Sequence, residues 1–253
     1  MTASKNLARI AAAAAIAGIA VGVRVSTSPS VKGIEPSTPI RAAFYYPWYP
    51  ETWYPGIHFT PTLGAPYNSS DPAVIQYEIA SMEYANITVG IASWWGQGSP
   101  TDGRIPALLS AADGTGFKWT LYYEPGPGTQ ASDLSYIYAN YAQNPNYLQV
   151  DGKPVLFVYS RSATDCADAA NWVSLNAGRF YLDLQVFGGY TSCATQPDSW
   201  HQYAPAVQTD EQAGYSYSIS PGYWEYDSAT PLLARSPSAF ASAVQNAEHG
   251  RVE

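Results

Sequence analysis

Five apolar, β-prone segments of this chain end in the same way, and that shared ending limits the folds open to it. Arg41-Ala-Ala-Phe-Tyr-Tyr-Pro-Trp-Tyr-Pro50 runs from core-type residues into aromatics and proline. Ile91-Ala-Ser-Trp-Trp-Gly96, Leu121-Tyr-Tyr-Glu-Pro-Gly126, Leu156-Phe-Val-Tyr159 and Ile219-Ser-Pro-Gly-Tyr-Trp224 do likewise. If successive parallel strands each end in aromatic, Gly, Pro or carboxylate residues, those residues gather on one rim. That rim is where α/β barrels keep their active sites. Tyr and Trp join an apolar face to a hydrogen-bonding tip, so such a rim with a carboxylate on it suits a carbohydrate.

From Ile40 onward strand and helix patterns alternate. The strand candidates are Ala42–Tyr46, Val89–Trp94, Lys118–Tyr123, Val155–Tyr159, Phe180–Phe187 and Tyr215–Ser220, apolar or aromatic runs bounded by Gly, Pro and Asn. Asp71-Pro72 opens a helix to about Ala85, with an N-cap followed by proline at the first helical position. Further helices are expected at Ile105–Ala112, Leu134–Ala142, Ala167–Leu175, near Trp200, and from Ser236-Pro237 to about Glu248. The pattern predicts an α/β fold of the (β/α)8 TIM-barrel type. A doubly wound dinucleotide fold would place Gly-x-Gly-x-x-Gly after the first strand, where Pro47-Trp-Tyr-Pro50 stands instead. Only six strands precede the last helix, with the start of a seventh at Arg251-Val-Glu253, so an incomplete barrel, cut short at its C-terminal side, is expected.

The N-terminus reads as an export signal. Lys5 and Arg9 precede an uncharged run from Ile10 to Val23, short for a membrane span and suited to a signal-peptide core. Residues 1–24 are thus a signal peptide or an uncleaved anchor, 25–39 a Ser/Thr/Pro linker, and 40–253 the barrel domain. The product would be secreted or held at the cell surface, touching a membrane only through an uncleaved leader. Cys166 and Cys193 make an even pair in such a chain, so a disulfide between rim loops is expected, two buried free thiols being the alternative. The net charge is −8, and without residues 1–24 nine basic residues face 20 acidic ones, giving −11. The body of the chain has no Lys/Arg cluster, which argues against a nucleic-acid partner.

His58, His201 and His249 are scattered without metal-ligand spacing, so each is expected to be solvated or singly hydrogen-bonded, and neither metal nor cofactor is implied. A Gly-x-Ser-x-Gly elbow is missing too. Glycoside chemistry remains, and it normally uses two carboxyl groups. Glu124, fixed by Pro125 after the third strand, is the best-placed carboxylate; Asp210, Glu211 and Glu225 are lesser candidates. Asp183, inside a strand, reads as a paired structural acid. Tyr46, Trp48, Trp94, Trp95, Tyr123, Tyr159 and Tyr223 complete the substrate-binding set. Side chains alternate along a strand, so of Trp94 and Trp95 one should face the barrel and the other the outer helices.

Tyr45-Tyr-Pro-Trp-Tyr49, Trp94-Trp-Gly96, Tyr123-Glu-Pro125, Asp151-Gly-Lys-Pro-Val-Leu-Phe-Val-Tyr159 and Ser220-Pro-Gly-Tyr223 followed by Arg235 together resemble the family 99 and 99-like glycoside hydrolases. The resemblance covers roughly residues 41–250. It implies retaining, metal-free hydrolysis of α-mannose-type glycans on a (β/α)8 barrel. It implies that Glu124 contacts the sugar near its 2-hydroxyl, that Tyr46 stands at the reacting subsite, and that Trp94 or Trp95 lies near a neighbouring one. The family's acid and base sit in a Glu-Trp-x-Glu type segment after strand seven, which this sequence does not contain. The catalytic pair is therefore unassigned. A secreted, non-catalytic carbohydrate-binding protein is the alternative reading.

Overall fold

The computed structural model describes residues 19–21, 40–53, 66–159 and 163–249. Most of the leader and linker, His58 and Arg251–Glu253 lie outside the described residues, as does the side chain of His249. The elements run β1 (Ile19–Val21), β2 (Arg41–Tyr45), α1 (Pro72–Tyr84), β3 (Val89–Trp94), α2 (Pro100–Ala111), β4 (Lys118–Tyr123) and α3 (Gln130–Asn140). They continue as β5 (Gln149–Val150), β6 (Lys153–Val158), α4 (Cys166–Asn176), β7 (Tyr181–Gln185), β8 (Ser199–His201), β9 (Thr209–Gln212), β10 (Ser216–Ile219) and α5 (Pro237–His249).

Six strands, β2, β3, β4, β6, β7 and β8, are parallel neighbours in that order and curl into a half-barrel with helices outside. This is the incomplete (β/α)8 arrangement that the strand rhythm predicts. Each crossover helix begins where a short polar side chain satisfies its first amide groups. Asp71 accepts from the Ala73 amide, Ser99 from Asp102, Thr129 from Ser132 and Asp165 from Ala167 and Asp168. Pro72 and Pro100 follow two of these caps at the first helical position. All four caps lie on the side where the strands end, and the β3–α2 and β4–α3 connections between strand and cap are short.

Alternation along the strands divides the core into two layers. Ala92, Trp94, Leu121, Tyr123, Leu156, Val158, Leu182, Leu184 and Trp200 pack outward with helical residues such as Ile75, Leu108, Leu134 and Trp172. Ala42, Phe44, Val89, Ile91, Tyr122, Val155, Phe157 and Tyr181 fill the barrel interior. Trp94, Trp119, Trp172 and Trp200 are almost wholly inaccessible, each side chain contributing about 2–3 kcal/mol by burial. Gly90 lies where a methyl group would collide with the Trp119 ring, so the β3–β4 contact admits no larger residue.

Two sequence expectations fail at the sixth strand. Trp200 lies in β8, not in a helix, and the sixth parallel strand is β8, not Tyr215–Ser220. A three-residue strand is too short for its periodicity to register, although Trp200 points to the helix layer and His201 to the interior. The Tyr215–Ser220 run instead becomes β10, paired antiparallel with β9 across a tight turn at Gly214 (φ 84°). A connection that short cannot make the crossover that parallel pairing requires. Asp210 and Glu211 accordingly lie within β9.

β1 pairs antiparallel with both β2 and β10. The hairpin also reaches the free edge of β8: Ser216 Oγ donates to the Trp200 carbonyl at 2.8 Å, and Ser218 Oγ to that of Gln202 at 3.0 Å. α5 covers β10 through Ala243, Ala247 and Ile219. Cys166 and Cys193 form the expected disulfide, tying the start of α4 to the turn at Tyr190–Ser192. Closing a loop of 27 residues restrains the unfolded chain by about 3.5 kcal/mol in the chain-entropy account.

Candidate functional site

The segment after β2 is fixed from behind by a buried guanidinium. Arg104 on α2, 6% exposed, donates to the Pro47 carbonyl at 2.9 Å and to both Glu51 carboxylate oxygens at 2.8 and 2.7 Å. It also reaches Ser70 Oγ at 3.1 Å. With the turn held this way, the Trp48 ring lies across the end of the barrel, its centroid 4.6 Å from Tyr46 and 5.4 Å from Trp95.

Trp48 Nε1 donates to Ser93 Oγ at 2.8 Å, and Ser93 Oγ donates to Glu124 Oε1 at 2.5 Å. Ser93 is fully buried, while Glu124 keeps part of its surface exposed. The ends of three neighbouring strands thus act on one carboxylate. The Glu124 amide also bonds the Trp94 carbonyl at 3.0 Å. At Gly126 a Cβ would come within 2.5 Å of the Trp95 carbonyl, so a side chain there would push the two rim loops apart.

A tyrosine wall lies beside this carboxylate. Tyr46 and Tyr203 share a hydroxyl–hydroxyl hydrogen bond of 2.8 Å. The Tyr203 ring packs on Phe44 (4.9 Å), Tyr122 (5.3 Å) and Tyr159 (5.9 Å). Burial pushes the phenols of Tyr46, Tyr122 and Tyr203 well above the usual tyrosine range, and the Glu124 charge adds to the rise in all three. They stay neutral and keep their protons for hydrogen bonding. Tyr223, raised chiefly by burial and also by Glu225 and Tyr46, donates to Glu225 Oε1 at 2.9 Å. Its turn is held by Arg235, which donates to the carbonyls of Ser220 and Gln208 at 2.5 and 2.8 Å. A cleft lined by Tyr46, Tyr203, Pro205, Asp210 and Ser220 separates the wall from the hairpin.

Of the residues expected from sequence, Tyr46, Trp48, Trp95, Glu124, Tyr159 and Tyr223 come to this mouth. Trp94 and Tyr123 do not. Trp94 is inaccessible on the helix side, its Nε1 donating to Asp102 Oδ1 at 2.7 Å. Tyr123, 3% exposed, donates to Asp133 Oδ2 at 3.0 Å and packs on Trp172. Strand alternation sends each of them outward and its neighbour inward, so Trp95 and not Trp94 takes the mouth position. Asp183 points into the barrel and is paired, as a structural acid would be, but its partner is His201 at 2.7 Å. His201, 1% exposed and in reach of two partners, is neither solvated nor singly bonded.

Ser93 and Tyr203 were missed. β3 is buried on both faces, so its sequence alone does not say that Ser93 shares the inner face with Ile91. Tyr203 follows a three-residue strand in irregular chain, where no periodicity marks it. Among the described residues no group of three His, Cys, Asp or Glu is arranged to hold a metal ion.

The Glycosyl hydrolase family 99 profile matches residues 53–192 of this chain. The glycoprotein endo-alpha-1,2-mannosidase of Xenopus laevis is 29% identical over 189 residues, covering 67% of this chain and 42% of that protein. The Homo sapiens glycoprotein endo-alpha-1,2-mannosidase-like protein is 28% identical over 183 residues, covering 66% and 39% respectively. Among solved structures, a GH99 endo-alpha-mannosidase from Bacteroides thetaiotaomicron superposes with a TM-score of 0.54 at 25% identity, covering 66% of this chain and 59% of that one. The chain therefore spans about 40% of the length of these curated relatives. With more than half of its residues matched and the half-barrel in common, the chain belongs to glycosyl hydrolase family 99.

Proposed function

We propose that this chain supplies the sugar-binding wall of an exported glycoside hydrolase acting on α-mannose-type glycans. The observation that carries this reading is the Trp48–Ser93–Glu124 chain of hydrogen bonds at the barrel mouth, flanked by Tyr46 and Trp95. Ser93 presents Glu124 as a hydrogen-bond acceptor, the form in which a carboxylate grips a sugar hydroxyl. Tyr46 and Trp95 offer apolar faces to the C–H side of a pyranose ring. The names of the relatives, endo-alpha-1,2-mannosidases and a GH99 endo-alpha-mannosidase, support α-mannosides as the substrate class.

Hydrolysis normally uses two carboxyl groups, and with Glu124 read as a sugar-binding group that pair is unassigned in this chain. Asp210, in the cleft beside Tyr46, and Glu225, bonded to Tyr223, are acids on the same side of the molecule. Export is supported by the basic and apolar N-terminal pattern and by the Cys166–Cys193 bridge, which belongs to an oxidising compartment.

The test is calorimetric titration of the chain with α-1,2-linked mannotriose, alongside a sensitive assay for released mannose and mannobiose. Binding weakened by roughly 10- to 100-fold in Glu124→Gln is expected. Binding without turnover selects the non-catalytic carbohydrate-binding reading. Absence of binding by the wild-type chain contradicts both.

A further inference from the structure

Beneath the tyrosine wall lies a buried polar chain to which the functional reading gives no role. Asp183 on β7 and His201 on β8 meet inside the barrel, 0% and 1% exposed, with Nδ1 to Oδ1 at 2.7 Å. Phe44, Tyr122 and Phe157 surround the imidazole at centroid distances of 5.9, 5.5 and 5.2 Å. His201 Nε2 faces the Tyr122 hydroxyl at 3.5 Å. Tyr122 OH lies 3.0 Å from Gln185 Oε1, and Gln185 Nε2 lies 3.2 Å from the Tyr203 carbonyl.

Each group has a fixed stock of donors and acceptors, and that stock orders the chain. The Tyr203 carbonyl can only accept, so the amide nitrogen of Gln185 points to it and the amide oxygen faces Tyr122. That oxygen can only accept as well, so the single proton of Tyr122 goes to Gln185. The Tyr122 oxygen is then left as an acceptor toward His201, and Nε2 must carry a hydrogen to meet it. A further proton then lies between Nδ1 and Asp183 Oδ1, and the pair is neutral overall. Neutrality suits its place, because Asp183 Oδ2 meets no donor and a bare net charge in the interior would be costly.

We propose that Asp183 and His201 are positioning residues for the glycan-binding wall, acting through Tyr122 and Gln185 to seat Tyr203 and, through its hydroxyl, Tyr46. This inference rests on the α-mannoside reading of the mouth. The charged and titratable groups facing the chain are Asp183, the Tyr46, Tyr159 and Tyr203 phenols, Tyr181 beside Asp183, and Glu124 near Tyr122.

The experiment has two arms. In the first, long-range 1H–15N correlation spectra of the labelled full chain at neutral pH locate the ring protons, His201→Gln identifying the resonances. Nε2 in the protonated range is expected; a bare Nε2 overturns the proposal. In the second, calorimetry with α-1,2-linked mannotriose compares Gln185→Met, His201→Leu and His201→Gln. Losing one link of the chain should weaken binding about five- to tenfold, the worth of a typical hydrogen bond. His201→Gln can replace the Nε2–H donor and should stay within about twofold of wild type, a rescue that a space-filling role would not show. Wild-type affinity in folded Gln185→Met overturns the proposal. Should His201→Leu fail to fold, the nearly isosteric Gln185→Met decides alone. If the wild-type chain binds no mannotriose, the α-mannoside reading falls, and the ring-proton spectra still decide whether this chain is ordered as argued.

Discussion

Asp102 and Glu124 sit beside tryptophan and tyrosine rings on opposite sides of the same strands, and their surroundings differ in kind. Asp102, 5% exposed on the helix side, collects the Trp94 indole, the Gly98 amide and the hydroxyls of Tyr136 and Tyr141 at 2.7–3.0 Å. Donors from three separate elements saturate it, as befits a fastener between β3, α2 and α3. Glu124 is half-buried at the barrel mouth and receives a hydroxyl that an indole has already oriented. The helix-side carboxylate is enclosed by its partners, whereas the mouth carboxylate is presented by them. A similar pairing of rings with an acid therefore serves stability on one face and recognition on the other.

The largest effects should separate the faces most cleanly. Asp102→Ala removes the acceptor of the buried Trp94 indole and Tyr141 phenol and of the half-buried Tyr136, and should lower stability by about 3 kcal/mol in chemical denaturation. Glu124→Gln should change stability by less than about 1 kcal/mol. It should weaken α-1,2-mannotriose binding by roughly 10- to 100-fold, the range for a hydrogen bond to a charged group. Equal losses of stability in the two variants would break the comparison.

The adjacent tryptophans sharpen it. Trp94→Ala should cost about 3–5 kcal/mol by cavity formation. Trp95→Ala, at a half-buried position, should cost on the order of 1 kcal/mol while weakening glycan binding. Melting curves and titrations of the two variants read both quantities.

A pH-dependent effect concerns a third acid, Glu78 on α1. Tyr45 OH donates to it at 2.5 Å, and burial raises its carboxyl to about 7 against an ordinary 4.5, the Tyr45 bond opposing the rise. Between these values the unfolded chain releases a proton that the folded chain keeps. The unfolded state then binds fewer protons, so stability falls as pH rises from about 4.5 to about 7. The expected loss is of the order of 2 kcal/mol, allowing for partial exposure. Denaturation midpoints across that window should lose this slope in Glu78→Gln, and an unchanged slope would assign the pH dependence elsewhere.

What could be read beforehand followed from the range of the signals. The β2, β3, β4 and β6 ends carry their rim residues within four positions of a buried run, so Tyr46, Trp48, Glu124 and Tyr159 were legible from the sequence. Alternation already required Trp94 and Trp95 to part, but only coordinates say which of them faces inward. β8 is three residues long, and its side chains gain their places from β7 and the hairpin instead of from local pattern. Tyr203 and the Asp183–His201 pair depend on that placement. They join residues 18 to 157 positions apart, a separation that no local period encodes.

The most direct test of the account follows the indole N–H signals of labelled protein during titration with α-1,2-linked mannotriose. The account predicts that the Trp48 and Trp95 resonances move with saturation while those of Trp94 and Trp172 stay in place. Still Trp48 and Trp95 signals at saturating sugar, or movement centred on Trp94, would contradict it.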